Sequence, residues 1–310
     1  MKILFFGTPD YAVNVLKKLY EKENIDILAI ISQPNKLVGR KKELKKTPVA
    51  VFSESKNLNL LQPNKIIDIK EILIKMNPDL VVTAAYGQII PESMLIEIAD
   101  HNWFNLHASI LPSYRGGAPI QKSILNNDKI TGVTLMTMEK GMDTGDIIDT
   151  IETNISINDN LESLTKKLSI DASNLIINNI ENLYKGKYKK VKQNEKKATY
   201  AYNVKKKDHL IDWNKTAIEI YNLSRFDAPK DFAYTYFEDK EIQLTKVSLT
   251  SIKSDNKPGF IQILDKKLYV NTKDYLLEIL SLKLQGKNES NSLNFINGYK
   301  NKIEIIKYFK

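Results

Sequence analysis

The 310-residue sequence contains no cysteine. That removes disulfides, thiolate metal sites and cysteine nucleophiles together, and it fits a reducing compartment. Histidine is nearly as scarce: the three residues stand at 101, 107 and 209, too far apart to form a metal-ligand motif. No metal is expected. No apolar run approaches the roughly 20 residues that span a bilayer. The opening MKILFFGTPD holds an apolar run of about five residues before a turn, too short for a secretory leader. A cytoplasmic protein without membrane contact is the expectation. Glycine is thin where a dinucleotide fingerprint needs it. FFGTPD supplies only Gly7 at the end of the first apolar run, and no acidic residue closes the second, which argues against a nicotinamide or flavin cofactor. Gly7 is expected to give a tight turn its backbone freedom.

Lysine, by contrast, is abundant. The net charge is +9, and it is concentrated: residues 36–46 carry +5 and residues 185–207 carry +9, so the rest of the chain is net acidic. Two basic segments on an acidic body fit a polyanionic partner. Lysine-rich loops in a chain biased toward Lys, Asn and Ile fit the same numbers, and charge alone does not choose.

The first half alternates short apolar runs with amphipathic stretches. KILFF, IDILAIIS, LNLLQP, DLVVTAAYG and WFNLHAS read as strands, with YAVNVLKKLYEK, PVAVFSESKN, IKEILIKMN, residues 92–99 and PIQKSILNN as helices between them. Thr8 and Pro9 are expected to cap and begin the first helix. GVTLMTM and DIIDTIETNI add two strands, and a long helix covers about residues 161–183. This alternation predicts a doubly wound, mostly parallel α/β sheet. Beyond residue 207 the runs FAYTYF, EIQLTKVSL, GFIQIL, KLYVNT and YLLEILSLKL are β-branched and aromatic and are broken by turn residues, which predicts a small OB-like β-barrel with a short terminal helix.

Ligands of an open α/β sheet bind beyond the carboxyl ends of its strands. One such end is NLHASILPSYRGGAP. Residues i and i+2 of a strand share a face, so Asn105 and His107 project together. An amide donor and an imidazole side by side suit a carbonyl oxygen that turns anionic under attack; a turn-forming Asn beside a satisfied buried His is the competing reading. In EKGMDTGDII, Asp143 or Asp146 is placed to orient His107 or relay a proton, although a Gly-Asp-Gly segment is also a common turn. No Ser or Thr nucleophile has a matching base in view.

FNLHASILPSYRGGAPIQ followed by TGVTLMTMEKGMDTGDII resembles the core of the formyltransferases that use 10-formyltetrahydrofolate, and FFGTPDYAV, SQPNKLVGRKKELKKTPV, AYGQIIP and TYAYNVKKKDHLIDW follow in the expected order over nearly the whole chain. Within that family the closer similarity is to the branch that formylates methionyl initiator tRNA. The resemblance implies Asn105, His107 and Asp143 as the catalytic set. It implies folate contacts at Gln88, Ile89, Ile90, Ser109, Ile110, Leu111 and Pro112, and tRNA contacts at Lys36, Arg40, Lys41, Lys42, Lys45 and Lys206. 10-Formyltetrahydrofolate is then the formyl donor, and the expected form is a monomer with a formyltransferase domain at 1–184, a basic linker at 185–207 and a tRNA-binding barrel at 208–310. Three positions depart from the family pattern, Ile110 for Leu, Ser113 where Arg is frequent and Asn203 where Lys is frequent, and FDAPKDF is a weakened form of the family's Pro- and Trp-containing turn. Two further readings stay open, a formyltransferase for an amino-sugar nucleotide and a nucleic-acid-binding protein without catalysis.

Overall fold

The computed structural model describes residues 1–38 and 43–310; the expected tRNA contacts Arg40, Lys41 and Lys42 lie outside the described residues. The chain divides into two compact units, one of Met1–Ile120, Lys129–Ile155 and Ser163–Asn203, the other of Gln121–Asp128, Ser156–Glu162 and Val204–Lys310. No helix among the described residues is long and apolar enough to cross a membrane.

Through residue 184 the chain forms β1 (Lys2–Gly7), α1 (Asp10–Tyr20), β2 (Asp26–Ile31), β3 (Lys36–Val38), β4 (Glu43–Lys45), α2 (Pro48–Ser55), β5 (Leu60–Leu61), α3 (Lys70–Lys75), β6 (Leu80–Ala84), α4 (Glu92–Glu97), β7 (Trp103–His107), α5 (Pro119–Leu125), β8 (Ile130–Thr137), β9 (Ile147–Asn154) and α6 (Leu161–Tyr184), all in the first unit except most of α5 and the first two residues of α6. Seven strands form one sheet in the order β5-β2-β1-β6-β7-β8-β9. The pairs from β5 to β7 are parallel, and β8 is antiparallel to both of its neighbours. The chain winds outward from β1 to β5 and returns to β6 on the other side of β1, so the strand order reverses between β1 and β6. Such a switch point opens a crevice at the carboxyl ends of the strands.

The reason for this arrangement is visible in the sequence. KILFF and LVVTA are apolar without alternation, and apart from the first residue of β1 every side chain of β1 and β6 is buried, as a sheet covered on both faces requires. In α1 the buried residues Tyr11, Ala12, Val15, Leu16 and Leu19 recur at helical spacing and form one stripe. Thr8 does not cap this helix. Pro9 occupies the cap position without a side-chain bond, and the Thr8 hydroxyl donates to the Tyr86 carbonyl at 2.7 Å while accepting from the Gln33 amide at 3.3 Å, tying together the exits of β1, β2 and β6. Gly7 also has a different task from the one expected. Its φ is not positive, but a Cβ there would lie 2.6 Å from the Ala12 Cβ and 2.7 Å from the Phe5 ring. Glycine is needed so that α1 can approach β1 closely.

The second unit contains α7 (Ala217–Arg225), β10 (Tyr234–Phe237), β11 (Lys240–Lys253), β12 (Ile261–Leu264), β13 (Lys267–Asn271), β14 (Tyr275–Leu284), β15 (Ser290–Asn291) and α8 (Ser292–Ile306). The strands form an antiparallel sheet in the order β10-β11-β14-β13-β12, with β15 on β14. The five apolar runs read as strands all appear. The C-terminal residues lie between the two outer strands. Lys310 exchanges backbone hydrogen bonds with Tyr236 of β10, at 3.0 and 2.9 Å, while Lys307 and Phe309 bond Ile261 and Gly259 beside β12 at 2.8 and 3.0 Å. The tail thereby covers both edges that the sheet would otherwise expose. A core of Trp213, Phe237, Leu244, Leu277, Phe295 and their neighbours fills the interior, each such side chain contributing about 1.5–3 kcal/mol. Helix α7 was not anticipated, although Thr216 and Glu219 form a complete capping box at its start, a pattern readable in TAIE.

Candidate active site

The site grows from the carboxyl end of β7. Thr83 of β6 lies directly opposite Asn105, and its hydroxyl donates to Asn105 Oδ1 at 2.8 Å; the same hydroxyl lies 3.2 Å from the Phe104 carbonyl and from Met138 Sδ. One proton serves one strong bond, and the shortest contact takes it. The Asn105 carbonyl oxygen is thus occupied, which leaves its NH₂ as the donor end of the side chain. Trp103, Asn105 and His107 share one face of β7. Trp103 closes a core cluster with Phe6, Val81, Tyr86 and Leu95, so the polar pair sits at the upper rim of a packed apolar face. In that cluster burial pushes the Tyr86 phenol up to about 12.

His107 is 6% exposed, and its Nε2 lies 2.9 Å from the Tyr114 carbonyl oxygen. A carbonyl only accepts, so Nε2 carries a hydrogen. Nδ1 faces Asp143 Oδ2 at 3.5 Å, an ion-pair distance longer than a direct hydrogen bond. Of the two candidate aspartates, Asp143 is the one beside the ring, while the Asp146 backbone pairs with Thr137. Asp143 sits at φ 53, and its Oδ2 accepts from the Gly116 amide at 2.8 Å.

Two residues that sequence reading passed over brace this loop. Gln193 Nε2 donates to the carbonyls of Asp143 and Gly145, both at 2.8 Å. Its Oε1 accepts from Arg115 Nε and Nη2 at 3.0 and 2.8 Å. Arg115 is fully buried and also grips Glu195 through both carboxylate oxygens, at 2.7 and 2.9 Å, which holds the Glu195 carboxyl below its usual range. Residues 199–201, inside the segment expected as a linker, run along the turn after β7: the Arg115 and Ala118 amides donate to Thr199 and Ala201, and the Ala201 amide donates back to Arg115.

The loop also depends on Gly145, where a Cβ would lie 1.8 Å from the Thr137 carbonyl oxygen. Gly145→Ala is expected to lower stability by about 1–3 kcal/mol, the range for forced overpacking, and to lower turnover as Asp143 moves; urea unfolding and steady-state assays read the two effects separately.

The expected folate residues fall into two groups. Gln88 is committed to structure, its Oε1 accepting from the Ile66 amide at 2.8 Å and its Nε2 donating to Pro63 and Asn64 at 3.3 Å. It holds a loop on which Ile89 is 90% exposed and Ile90 is buried. The Ser109 hydroxyl donates to the Ser113 carbonyl at 2.6 Å. Thr134 receives the Leu111 amide and donates to the Ser109 carbonyl, fixing the turn through Ile110 to a cis Leu111–Pro112 bond. Apolar faces and backbone, rather than these polar side chains, are what the two loops present. Lys36 and Lys45 are exposed and paired across the β3–β4 hairpin. Lys206 is exposed, bonded to Glu241 at 2.7 Å and set 5.4 Å from the Tyr234 ring centroid. The Glu241 carboxylate raises its ammonium above the ordinary value.

Residues 1–180 match the formyl transferase family, and residues 203–300 match the formyl transferase C-terminal domain. The methionyl-tRNA formyltransferase of Malacoplasma penetrans is 39% identical over 96% of this chain and 93% of its own length. That of Macrococcus caseolyticus is 37% identical over 99% and 98%. Among solved structures, the Helicobacter canadensis N-formyltransferase in complex with folinic acid and dTDP-3-aminofucose superposes with a TM-score of 0.70 at 22% identity, covering 90% of this chain and 98% of that one; at that identity the likeness is one of fold. With near-complete mutual coverage at 37–39% identity, the chain belongs to the formyl transferase family, among its methionyl-tRNA formyltransferases.

Proposed function

We propose that this chain transfers the formyl group of 10-formyltetrahydrofolate to the α-amino group of methionine on initiator tRNA, for translation initiation. The observation that carries the reading is the meeting of Asn105, His107 and Asp143 at one strand end in a chain alignable end to end with methionyl-tRNA formyltransferases. The amine forms a bond to the formyl carbon, the carbonyl oxygen becomes anionic, and collapse releases the folate nitrogen, which regains a proton. Asn105 supplies its NH₂ to that oxyanion. His107 works through Nδ1, because Nε2 is held by Tyr114. At 3.5 Å Nδ1 and Asp143 stand closer than a water bridging them would allow, and the substrate amine passes its proton to this pair. The Ser109–Pro112 turn and the Gln88–Ile90 loop are the walls for the folate. The β3–β4 pair, which carries Lys36 and Lys45, meets the acceptor end of the tRNA, with Arg40, Lys41 and Lys42 as further contacts, and Lys206 adds positive charge on the second unit. In this reading residues 1–184 carry the chemistry, 185–207 join the two parts and 208–310 follow the tRNA, in a monomeric cytoplasmic enzyme.

The deciding experiment incubates the protein with 10-formyltetrahydrofolate and either methionyl initiator tRNA or dTDP-linked amino sugars. Formyl-methionyl-tRNA is the expected product; formylated sugar nucleotide alone overturns the proposal. Asn105→Ala is expected to lower kcat by about 100- to 1000-fold, as for loss of one oxyanion donor, with substrate binding near wild type. An unchanged kcat removes Asn105 from the oxyanion site.

A further inference from the structure

We propose that Gln193 is a positioning residue for the reaction: its side-chain amide, held by buried Arg115, clamps the turn that presents Asp143 to His107. The inference rests on the functional reading above for its catalytic consequence and on geometry for its form. A primary amide offers two donors and two acceptor sites, and all four are used here. Both hydrogens go to the carbonyls of Asp143 and Gly145, which bracket the turn, and both acceptor sites go to one guanidinium. The guanidinium is fixed in turn by the two oxygens of Glu195. Arg115 also precedes Gly116, whose amide holds the Asp143 carboxylate. One dipeptide therefore grips Asp143 twice, through Gln193 on its backbone and directly on its side chain.

The clamp matters because of the conformation it holds. Asp143 stands at φ 53, a region that a non-glycine residue keeps only when its surroundings fix it. Its carboxylate is already 3.5 Å from Nδ1, so a small drift of the turn separates the pair altogether. Gln193 touches neither His107 nor the Asp143 carboxylate. Its influence passes through the position of the Asp143 backbone alone.

Two variants test this. Gln193→Glu keeps an acceptor for Arg115 but places carboxylate oxygens against the two carbonyls. Gln193→Asn keeps the amide and shortens its reach by one methylene. Each is measured for kcat and KM toward methionyl-tRNA, for the pH profile of kcat, and for the titration of the His107 ring by NMR. That signal is readily assigned in a chain with three histidines by its loss in His107→Ala. The expected result is a kcat loss of about 100-fold, the scale of an ångström of misplacement, with KM near wild type and with both the pH profile and the His107 titration displaced. The clamp is overturned if the His107 titration stays at the wild-type midpoint in both folded variants, or if kcat is unchanged. The NMR titration needs no turnover, so a protein inactive toward methionyl-tRNA would sink the functional reading while the clamp is still decided by His107.

Discussion

His107→Ala is expected to lower kcat by about 100- to 10,000-fold, the range for loss of a positioned acid–base group, while affinities for folate and tRNA stay near wild type. The geometry explains both halves. His107 is buried, and its ring has two differently committed nitrogens. Nε2 gives its hydrogen to Tyr114, which sets the orientation of the ring. Nδ1 faces Asp143 at 3.5 Å, and in the proposed mechanism it is the nitrogen that handles the proton. Removing the buried ring also removes its bond to Tyr114, so a stability loss of about 1–3 kcal/mol accompanies the change, and turnover is compared at a temperature where both proteins are folded. Single-turnover formylation and tRNA titration make the distinction. If tRNA affinity falls in step with kcat, His107 is a structural residue and the assignment fails.

Asn105 and His107 were legible in the sequence because strand periodicity is strict. Two polar residues at i and i+2 at the end of an apolar run have to share a face, and the structure places both on that face of β7. Asp143 was harder to read, since only the family resemblance separated it from Asp146. What separates them physically is the bond from Gly116, a contact 27 residues away along the chain that no local pattern records. The clamp was invisible for the same reason, since Gln193 lies in a stretch whose lysines made it read as a solvated linker. A compositional trace was present nonetheless. The chain holds only three arginines, at 40, 115 and 225, among its 46 basic residues. A chain that so strongly prefers lysine retains Arg where a planar, multidentate donor is needed, and the two described arginines are both buried and hydrogen-bonded.

In the fold, the errors concern what local chemistry is for. Thr8 has the composition of a cap and Gly7 that of a turn, yet Thr8 bonds Tyr86 and Gly7 makes room for Ala12. Both roles depend on elements brought together by the sheet order. Helix α7 is the opposite case. Its capping box is local and complete, but it falls between the lysine-rich segment and the first strand-like run, where no element was expected. The closure by Lys307–Lys310 had no sequence signal, because covering two strand edges is a property of the assembled sheet.

Asp143→Asn is expected to lower kcat by about 1000- to 10,000-fold, as when the carboxylate that orients a catalytic histidine is replaced by its amide. The substitution is nearly silent for the fold. The amide oxygen still accepts from Gly116, Asn tolerates a positive φ, and the Gln193 bonds engage only main-chain carbonyls. What is lost is negative charge beside Nδ1, and with it, in the proposed mechanism, the partner for the proton taken from the attacking amine. Asp143 and His107 are proposed to act as one unit, so their effects should not add: the double variant His107→Ala with Asp143→Asn is expected to be little slower than the worse single variant. Measured kcat values for the two single variants and the double close the cycle. If the losses multiply, the two residues act independently, and the pair at 3.5 Å is a neighbour relation rather than a proton relay. If Asp143→Asn alone keeps most of the wild-type rate, charge at this position is dispensable, and the proton leaves the amine by another route.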